Sequence, residues 1–176
     1  AQPQPEVPYT VRGFVSVGDW KYQGESLTTT YDENRVQQGD PSLDDVDGGD
    51  VGDAAQFTAG VGLDIELAER LSVDGDVRFY DNLFADVGPT ANNLELPNYQ
   101  LMDLGLSYKM LLDSGSLDIR LNLNNVFDKI YIGELRTAIV AGDEDATGVL
   151  YNGIDTGNEG FFGLGRTWNL SLRYNF

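Results

Sequence analysis

The sequence predicts an all-β, antiparallel fold of the transmembrane β-barrel type, and three observations predict it. Apolar residues recur at every second position over most of the chain, the period of a strand with two unlike faces. Several of these runs approach or exceed the roughly 9–11 residues that a tilted strand needs to cross a bilayer. The connections between them alternate short with long, as outer-membrane barrels do, with long loops outside the cell and tight turns in the periplasm.

In chain order, residues 1–8 hold Pro3, Pro5 and Pro8, which disfavour ladder hydrogen bonding, so this stretch reads as an irregular lead-in or linker. A first, less regular run spans about Tyr9 to Tyr31, its phase slipping near Gly18 and Asp19. A long polar connection follows at about 32–54. Phe57, Ala59, Val61, Leu63, Ile65 and Leu67 then alternate with Thr58, Gly60, Gly62, Asp64 and Glu66. A tight turn at 68–70 leads to Leu71, Val73, Val77 and Phe79, set against Ser72, Asp74, Asp76 and Arg78. Beyond a polar connection at about 87–97, Leu104, Leu106, Tyr108 and Met110 face away from Asp103, Gly105, Ser107 and Lys109. A second tight turn at 112–115 precedes Leu117, Ile119, Leu121 and Leu123 against Asp118, Arg120, Asn122 and Asn124. The third long connection runs over about 136–162. The last run places Trp168, Leu170, Leu172, Tyr174 and Phe176 opposite Asn169, Ser171, Arg173 and Asn175. Residues 9–176 thus form about six strands. Counted back from Phe176, every connection falls on its expected side.

Composition narrows the function classes. The 176 residues carry 29 Asp and Glu against 11 Lys and Arg, a net charge of -18, so the basic stripe that nucleic acid requires is missing. With neither cysteine nor histidine, disulfides, thiol nucleophiles, Ser-His-Asp triads and the usual zinc ligands are excluded together, and the expectation is a protein that is not an enzyme. No apolar run reaches the roughly 18 residues of a spanning helix, and no signal-peptide pattern opens the sequence. A soluble β-sandwich is the competing fold. Its strands run to about 5–6 residues, and the charged faces suit a wet lumen better.

Two segments carry a family resemblance. The end of the chain, from Gly163, Leu164, Gly165 and Arg166 through Trp168 to Phe176, resembles the closing strand of TonB-dependent outer-membrane receptors. Asn124, Asn125, Val126, Phe127, Asp128 and Tyr131 resemble the Asn-Asn-Leu-Phe-Asp-x-x-Tyr segment that the family carries on its penultimate strand. Segments 16–21, 51–56 and 80–86 are similar to stretches of receptors from Bacteroidetes-type bacteria, so the resemblance extends over nearly all of 9–176. It implies a barrel of about 22 strands plugged by an N-terminal domain and TonB-driven uptake of a scarce nutrient such as a siderophore, cofactor or glycan. Six strands cannot enclose that lumen, and an open sheet leaves two edges that lipid does not tolerate. The expectation is therefore the C-terminal portion of a larger barrel in the bacterial outer membrane. The alternative is a barrel-derived piece that serves as an assembly substrate or as a binding or structural element without transport of its own. Implied partners are outer-membrane lipid and lipopolysaccharide, the remaining barrel strands and plug domain, the barrel-assembly machinery, and TonB through an N-terminal part. No bound cofactor is implied.

Individual residues carry narrower expectations. The row Trp168, Leu170, Leu172, Tyr174 and Phe176 resembles the C-terminal signal that barrel-assembly machinery recognises, in keeping with recognition by strand addition; the plainer reading is a lipid-facing row. Trp20, Tyr22, Tyr108, Tyr131, Trp168 and Tyr174 are candidates for interfacial girdles, or simple apolar cover. The acidic segment 40–50 has oxygen ligands that suit Ca²⁺, but lacks EF-hand spacing and reads first as a solvated loop. Gly163 and Gly165 permit a close backbone approach or a bend. Arg166, near the outer rim, is expected to pair with wall carboxylates, the alternative being an anionic ligand, and Asp74, Asp76, Arg78, Asp118 and Arg120 are expected to form cross-strand pairs.

Overall fold

The computed structural model describes residues 8–52, 54–86, 88–135 and 137–176, and among them every regular element is a strand. In chain order these are β1 (Tyr9–Val17), β2 (Glu25–Tyr31), β3 (Gln37–Asp45), β4 (Phe57–Ala68), β5 (Leu71–Asp81), β6 (Leu83–Phe84), β7 (Glu95–Leu96), β8 (Tyr99–Leu112), β9 (Gly115–Asn124), β10 (Ile132–Leu135), β11 (Leu150–Tyr151), β12 (Ile154–Asp155), β13 (Gly160–Phe162) and β14 (Thr167–Asn175). Six of them build one antiparallel sheet in the order β1-β4-β5-β8-β9-β14. The other eight pair two by two within the connections, as β2-β3, β6-β7, β10-β13 and β11-β12. The sheet is open, with β1 and β14 as its edges.

Register turns six separate alternations into two continuous faces, because residues directly opposite one another in an antiparallel ladder point to the same side. One row reads Tyr9, Ile65, Val73, Leu106, Leu121 and Leu170 across all six strands. The next reads Val11, Leu63, Gly75, Leu104, Leu123 and Trp168. The opposite face carries Thr10, Asp64, Asp74, Gly105, Asn122 and Asn169 in one row, and Ser72, Ser107, Arg120 and Ser171 in another. A one-residue slip of any strand would send its apolar set to the charged side, so the pattern itself fixes the pairing. Phe14 departs from the rule. It lies on the polar face, where its ring occupies the space above Gly60.

The apolar face is uncovered. Leu63, Leu106 and Leu121, near its middle, remain 40%, 40% and 39% exposed, whereas a sandwich would bury them against a second sheet. The hydrophobic core lies elsewhere, in the connections: Leu83, Ala85, Leu96, Ile132, Leu135 and Ile154 cluster there, with Ala55, Leu94 and Tyr99 packed against them.

Both tight turns fall on one rim of the sheet, between β4 and β5 and between β8 and β9, while 18–56, 82–98 and 125–166 all join strands at the other. Several expected boundaries need correction. The run from Tyr9 to Tyr31 is not one strand: β1 ends at Val17, and β2 leaves the sheet to pair with β3. The connection placed at 32–54 therefore begins at residue 18 and contains a nine-residue strand, β3. Those placed at 87–97 and 136–162 begin at 82 and 125. Of the expected lead-in, 1–7 lie outside the described residues, as do 53, 87 and 136 of the connections; the Pro8 carbonyl accepts Glu66 N–H at 3.0 Å and continues the β1-β4 ladder.

Candidate functional site: the polar face and the root of the third connection

Charged residues of the polar face pair across strands. Asp74 on β5 and Arg120 on β9 are separated by β8, yet Arg120 Nη1 donates to Asp74 Oδ1 at 2.5 Å and Nη2 to Oδ2 at 2.9 Å. The residue of β8 lying between them is Gly105, opposite both Asp74 and Asn122. A Cβ there would collide with the guanidinium and the carboxylate at once, so the fork-to-fork contact, the strongest geometry for this pair, fills the space that glycine leaves open. Arg120 also donates to Ser107 Oγ at 2.8 Å and to Asn122 Oδ1 at 2.8 Å. Arg78 pairs with Asp103 and Asp76, and Arg12 with Asp64 at 3.0 Å. The cross-strand pairing expected of Asp74, Arg78 and Arg120 is present, whereas Asp76 pairs with Arg78 along its own strand, β5. Asp118 differs: it accepts Asn175 Nδ2 at 2.8 Å instead of pairing with a cation of its neighbours.

At the loop-side rim the two segments with family resemblance come together. Asn124 is the last residue of β9, and Asn125 to Tyr131 lie beyond it, so the expected placement of the whole motif on the strand is corrected. The reason is local. Asn125 adopts φ 49°, a left-handed conformation that ends a ladder and that Asn tolerates better than most residues. Asn125 is only 4% exposed, and its polar groups are fully used. Its N–H donates to Asp103 Oδ1 at 2.8 Å. Its amide Nδ2 donates to Lys129 O at 2.9 Å and Leu164 O at 3.0 Å, while Oδ1 accepts Lys129 N–H at 2.8 Å. Asp128 Oδ1 accepts Arg166 N–H at 2.7 Å. Tyr131 O accepts Gly163 N–H at 2.9 Å. Both ends of the third connection are thereby bonded to each other.

Tyr131 also stacks on Tyr99, with ring centroids 4.2 Å apart, and Tyr99 on Tyr80 at 4.8 Å. Gly163 lies where any side chain would enter the Tyr131 ring, and Gly165 where a Cβ would come 2.9 Å from Asp128 Oδ1; the close approach expected of these glycines is present. Tyr131 is thus part of a stack at the root of the loop. Arg166 corrects another expectation: its Nη1 reaches the Val126 carbonyl at 3.4 Å, and its contact with a carboxylate is made by its backbone N–H. Phe127 is exposed, and Val126 N–H donates to Met102 O at 2.8 Å.

The terminal row lies on an edge. Trp168, Leu170, Leu172 and Tyr174 stand opposite Leu123, Leu121, Ile119 and Leu117, all on the apolar face and all exposed. Tyr174 Oη donates to Ser114 O at 3.0 Å, fastening this end of β14 to the turn between β8 and β9. Phe176 follows the last paired residue and is fully exposed.

Residues that sequence reasoning missed hold the connections to one another. Gln56, 4% exposed, accepts Trp20 N–H on Oε1 at 2.9 Å and donates from Nε2 to Trp20 O at 3.0 Å. Asn93 donates to Asp50 O at 2.9 Å and Asp86 O at 2.7 Å, tying the second connection to the first. In the third connection the Asp155 carboxylate accepts Gly157 N–H at 2.8 Å, Thr147 N–H at 3.0 Å, Thr147 Oγ1–H at 2.8 Å and Gly148 N–H at 2.9 Å. These donors, Gly157 first, hold its pKa down at about 2. Lys21 is shifted upward chiefly by its hydrogen bond to Asp50.

The acidic segment 40–50 is no plain loop. Its first residues belong to β3, Asp44 accepts Thr28 Oγ1–H at 2.6 Å, Asp47 accepts Gly24 N–H at 3.1 Å, and Asp50 takes Lys21. Among the described residues, no group of three or more Asp or Glu side chains is arranged to hold a metal ion. No protein-family model matches the chain, and no curated protein matches it.

Proposed function

We propose that this chain is the C-terminal wall portion of a TonB-dependent outer-membrane receptor that takes up a scarce nutrient with energy supplied through TonB. The observation that carries the reading is the sheet's two-sided construction. One face is apolar in register across six strands and uncovered. The other face carries paired charges, as a wet lumen requires. β4, β5, β8 and β9 have 12, 11, 14 and 10 residues, long enough to cross the hydrocarbon at a tilt. All long connections leave from one rim and both tight turns from the other. The bonding of Asn125 to Leu164 and of Asp128 to Arg166 adds support, because it gives the residues of the family resemblance a shared structural task.

On this reading the long connections face the cell exterior, the apolar face meets lipid and lipopolysaccharide, and further strands continue the wall from β1 and β14. Barrel-assembly machinery would engage the β14 row during insertion. A plug domain would fill the lumen, and TonB would act through it.

The chain has no cysteine, which makes topology directly measurable. Gly142→Cys in the third connection and Asp113→Cys in a tight turn, each in the full polypeptide, are exposed to a membrane-impermeant maleimide on intact cells. Labelling at 142 alone is expected. Equal labelling at both positions, or recovery of the protein in the soluble fraction, ends the reading. A second reading, a wall piece without transport of its own, is favoured by the two unpaired edges. The intact mass of the membrane-extracted polypeptide separates the two: contiguous upstream peptides point to the receptor, and a mass near 19.3 kDa to a piece that borrows strands.

A further inference from the structure

We propose that Asp103 couples the polar face of the sheet to the third connection, so that the state of Arg78 sets how firmly that connection is anchored. Asp103 is a shared acceptor. One oxygen takes the Arg78 guanidinium from the neighbouring strand, and the other takes Asn125 N–H at 2.8 Å. Asn125 in turn holds Lys129 and Leu164, and Asp128 holds Arg166. These bonds pin the two ends of 125–166 at one place, and the residues between carry four short strands that pair among themselves.

Arg78 itself makes its ion pairs within the sheet, to Asp103 and Asp76. A carboxylate held by a guanidinium is fixed in direction as well as in charge; without the guanidinium, Asp103 is free to rotate toward water and its alignment with Asn125 N–H degrades. The Arg78 Nε lies 2.9 Å from Asp76 Oδ2, an ion pair without hydrogen-bond geometry, so this contact is the weaker of the two that hold the guanidinium. Arg78 borders a cavity of about 290 Å³ on the polar face that is lined by Arg12, Phe14, Gly60, Gly62 and Asp76. An anionic group entering there meets two guanidiniums and competes directly with Asp103 for Arg78. The coupling rests on these contacts and not on the membrane reading, so either can fail without the other.

The test is hydrogen–deuterium exchange on the full polypeptide, read at the amides of Asn125, Lys129 and Arg166. Arg78→Gln is expected to raise exchange at all three several-fold while leaving the β2-β3 hairpin unchanged. Asp103→Asn should do the same. Arg78→Lys, which keeps the charge but loses the fork that spans Asp76 and Asp103, should give a smaller rise and guards against a variant that does not fold. Asp74→Asn breaks a comparable wall pair whose hydrogen bonds go to Ser107 and Asn122 and not to Asp103 or Asn125, and should leave the third connection at the wild-type rate. The proposal is overturned if Arg78→Gln leaves the three amides protected, or if Asp74→Asn exposes them equally.

Discussion

Gln56 hydrogen-bonds both backbone polar groups of Trp20, its carbonyl accepting the N–H at 2.9 Å and its amide donating to the C=O at 3.0 Å. A side-chain amide is the smallest group able to imitate a strand partner in this way, and it does so 36 residues away in sequence. Gln56→Ala leaves the Trp20 N–H unsatisfied and the Trp20 C=O with the Val51 N–H alone. A destabilisation of about 1–3 kcal/mol is expected, with accelerated exchange of the Trp20 amide. Gln56→Glu keeps the acceptor and loses the donor, and should fall between.

A charge on the apolar face should be far costlier than one on the polar face. Leu121 sits opposite both Leu106 and Leu170, and Leu121→Arg is expected to cost about 2–4 kcal/mol if this level lies near the bilayer midplane. Asn122→Arg, one residue along, turns to the polar face and should cost less even with its bonds to Arg120 and Asn169 lost. Denaturant titration in detergent or lipid measures both; equal costs would contradict the two-sided wall.

Gly163→Ala puts a methyl group into the Tyr131 ring. The ring has to leave its stack on Tyr99, for an expected loss of about 0.5–1.5 kcal/mol. The near-ultraviolet circular dichroism of the tyrosines reports the loss directly, since the stack involves three rings.

Asp155 gives the third connection a pH dependence whose sign is fixed. Its folded pKa, about 2, lies below the ordinary carboxylate value of 3.8, so its stabilisation is fully present above about pH 4 and is lost as pH falls from there through about 2. Exchange of the Thr147, Gly148 and Gly157 amides should therefore rise in that window. In Asp155→Asn, which cannot accept all four hydrogen bonds, the rise should be present at neutral pH.

The wall was legible in the sequence because a period-two row states its face at every residue. Leu117 to Leu123 and Trp168 to Tyr174 needed no partner to be recognised, and their register then followed from matching like faces. The connections were opaque for the opposite reason. β2 offers little alternation, with Leu27 and Tyr31 its only large apolar residues, and β10 to β13 have only two to four residues each. One local signal was available: Asn152 and Gly153, both with positive φ, form the two-residue turn of the β11-β12 hairpin, a pairing that favours hairpins strongly. Nothing local marks Gln56, Asn93 or Asp103. Each satisfies backbone groups of a distant segment, so its role exists only once the chain has folded. Arg166 was misjudged because its carboxylate partner, Asp128, is engaged by the main chain rather than by the guanidinium.

Residues 74, 105 and 120 carry one piece of information spread over three strands. Because the Asp74–Arg120 fork occupies the volume that a side chain at 105 would need, a larger residue at 105 displaces the fork from this position while the other two remain. A chain that acquires a larger residue there must move the acid and the base aside or give one of them up. Among related sequences the three positions are therefore expected to vary as a set, with glycine at 105 wherever Asp and Arg stand at 74 and 120, and free of that restriction wherever either is absent.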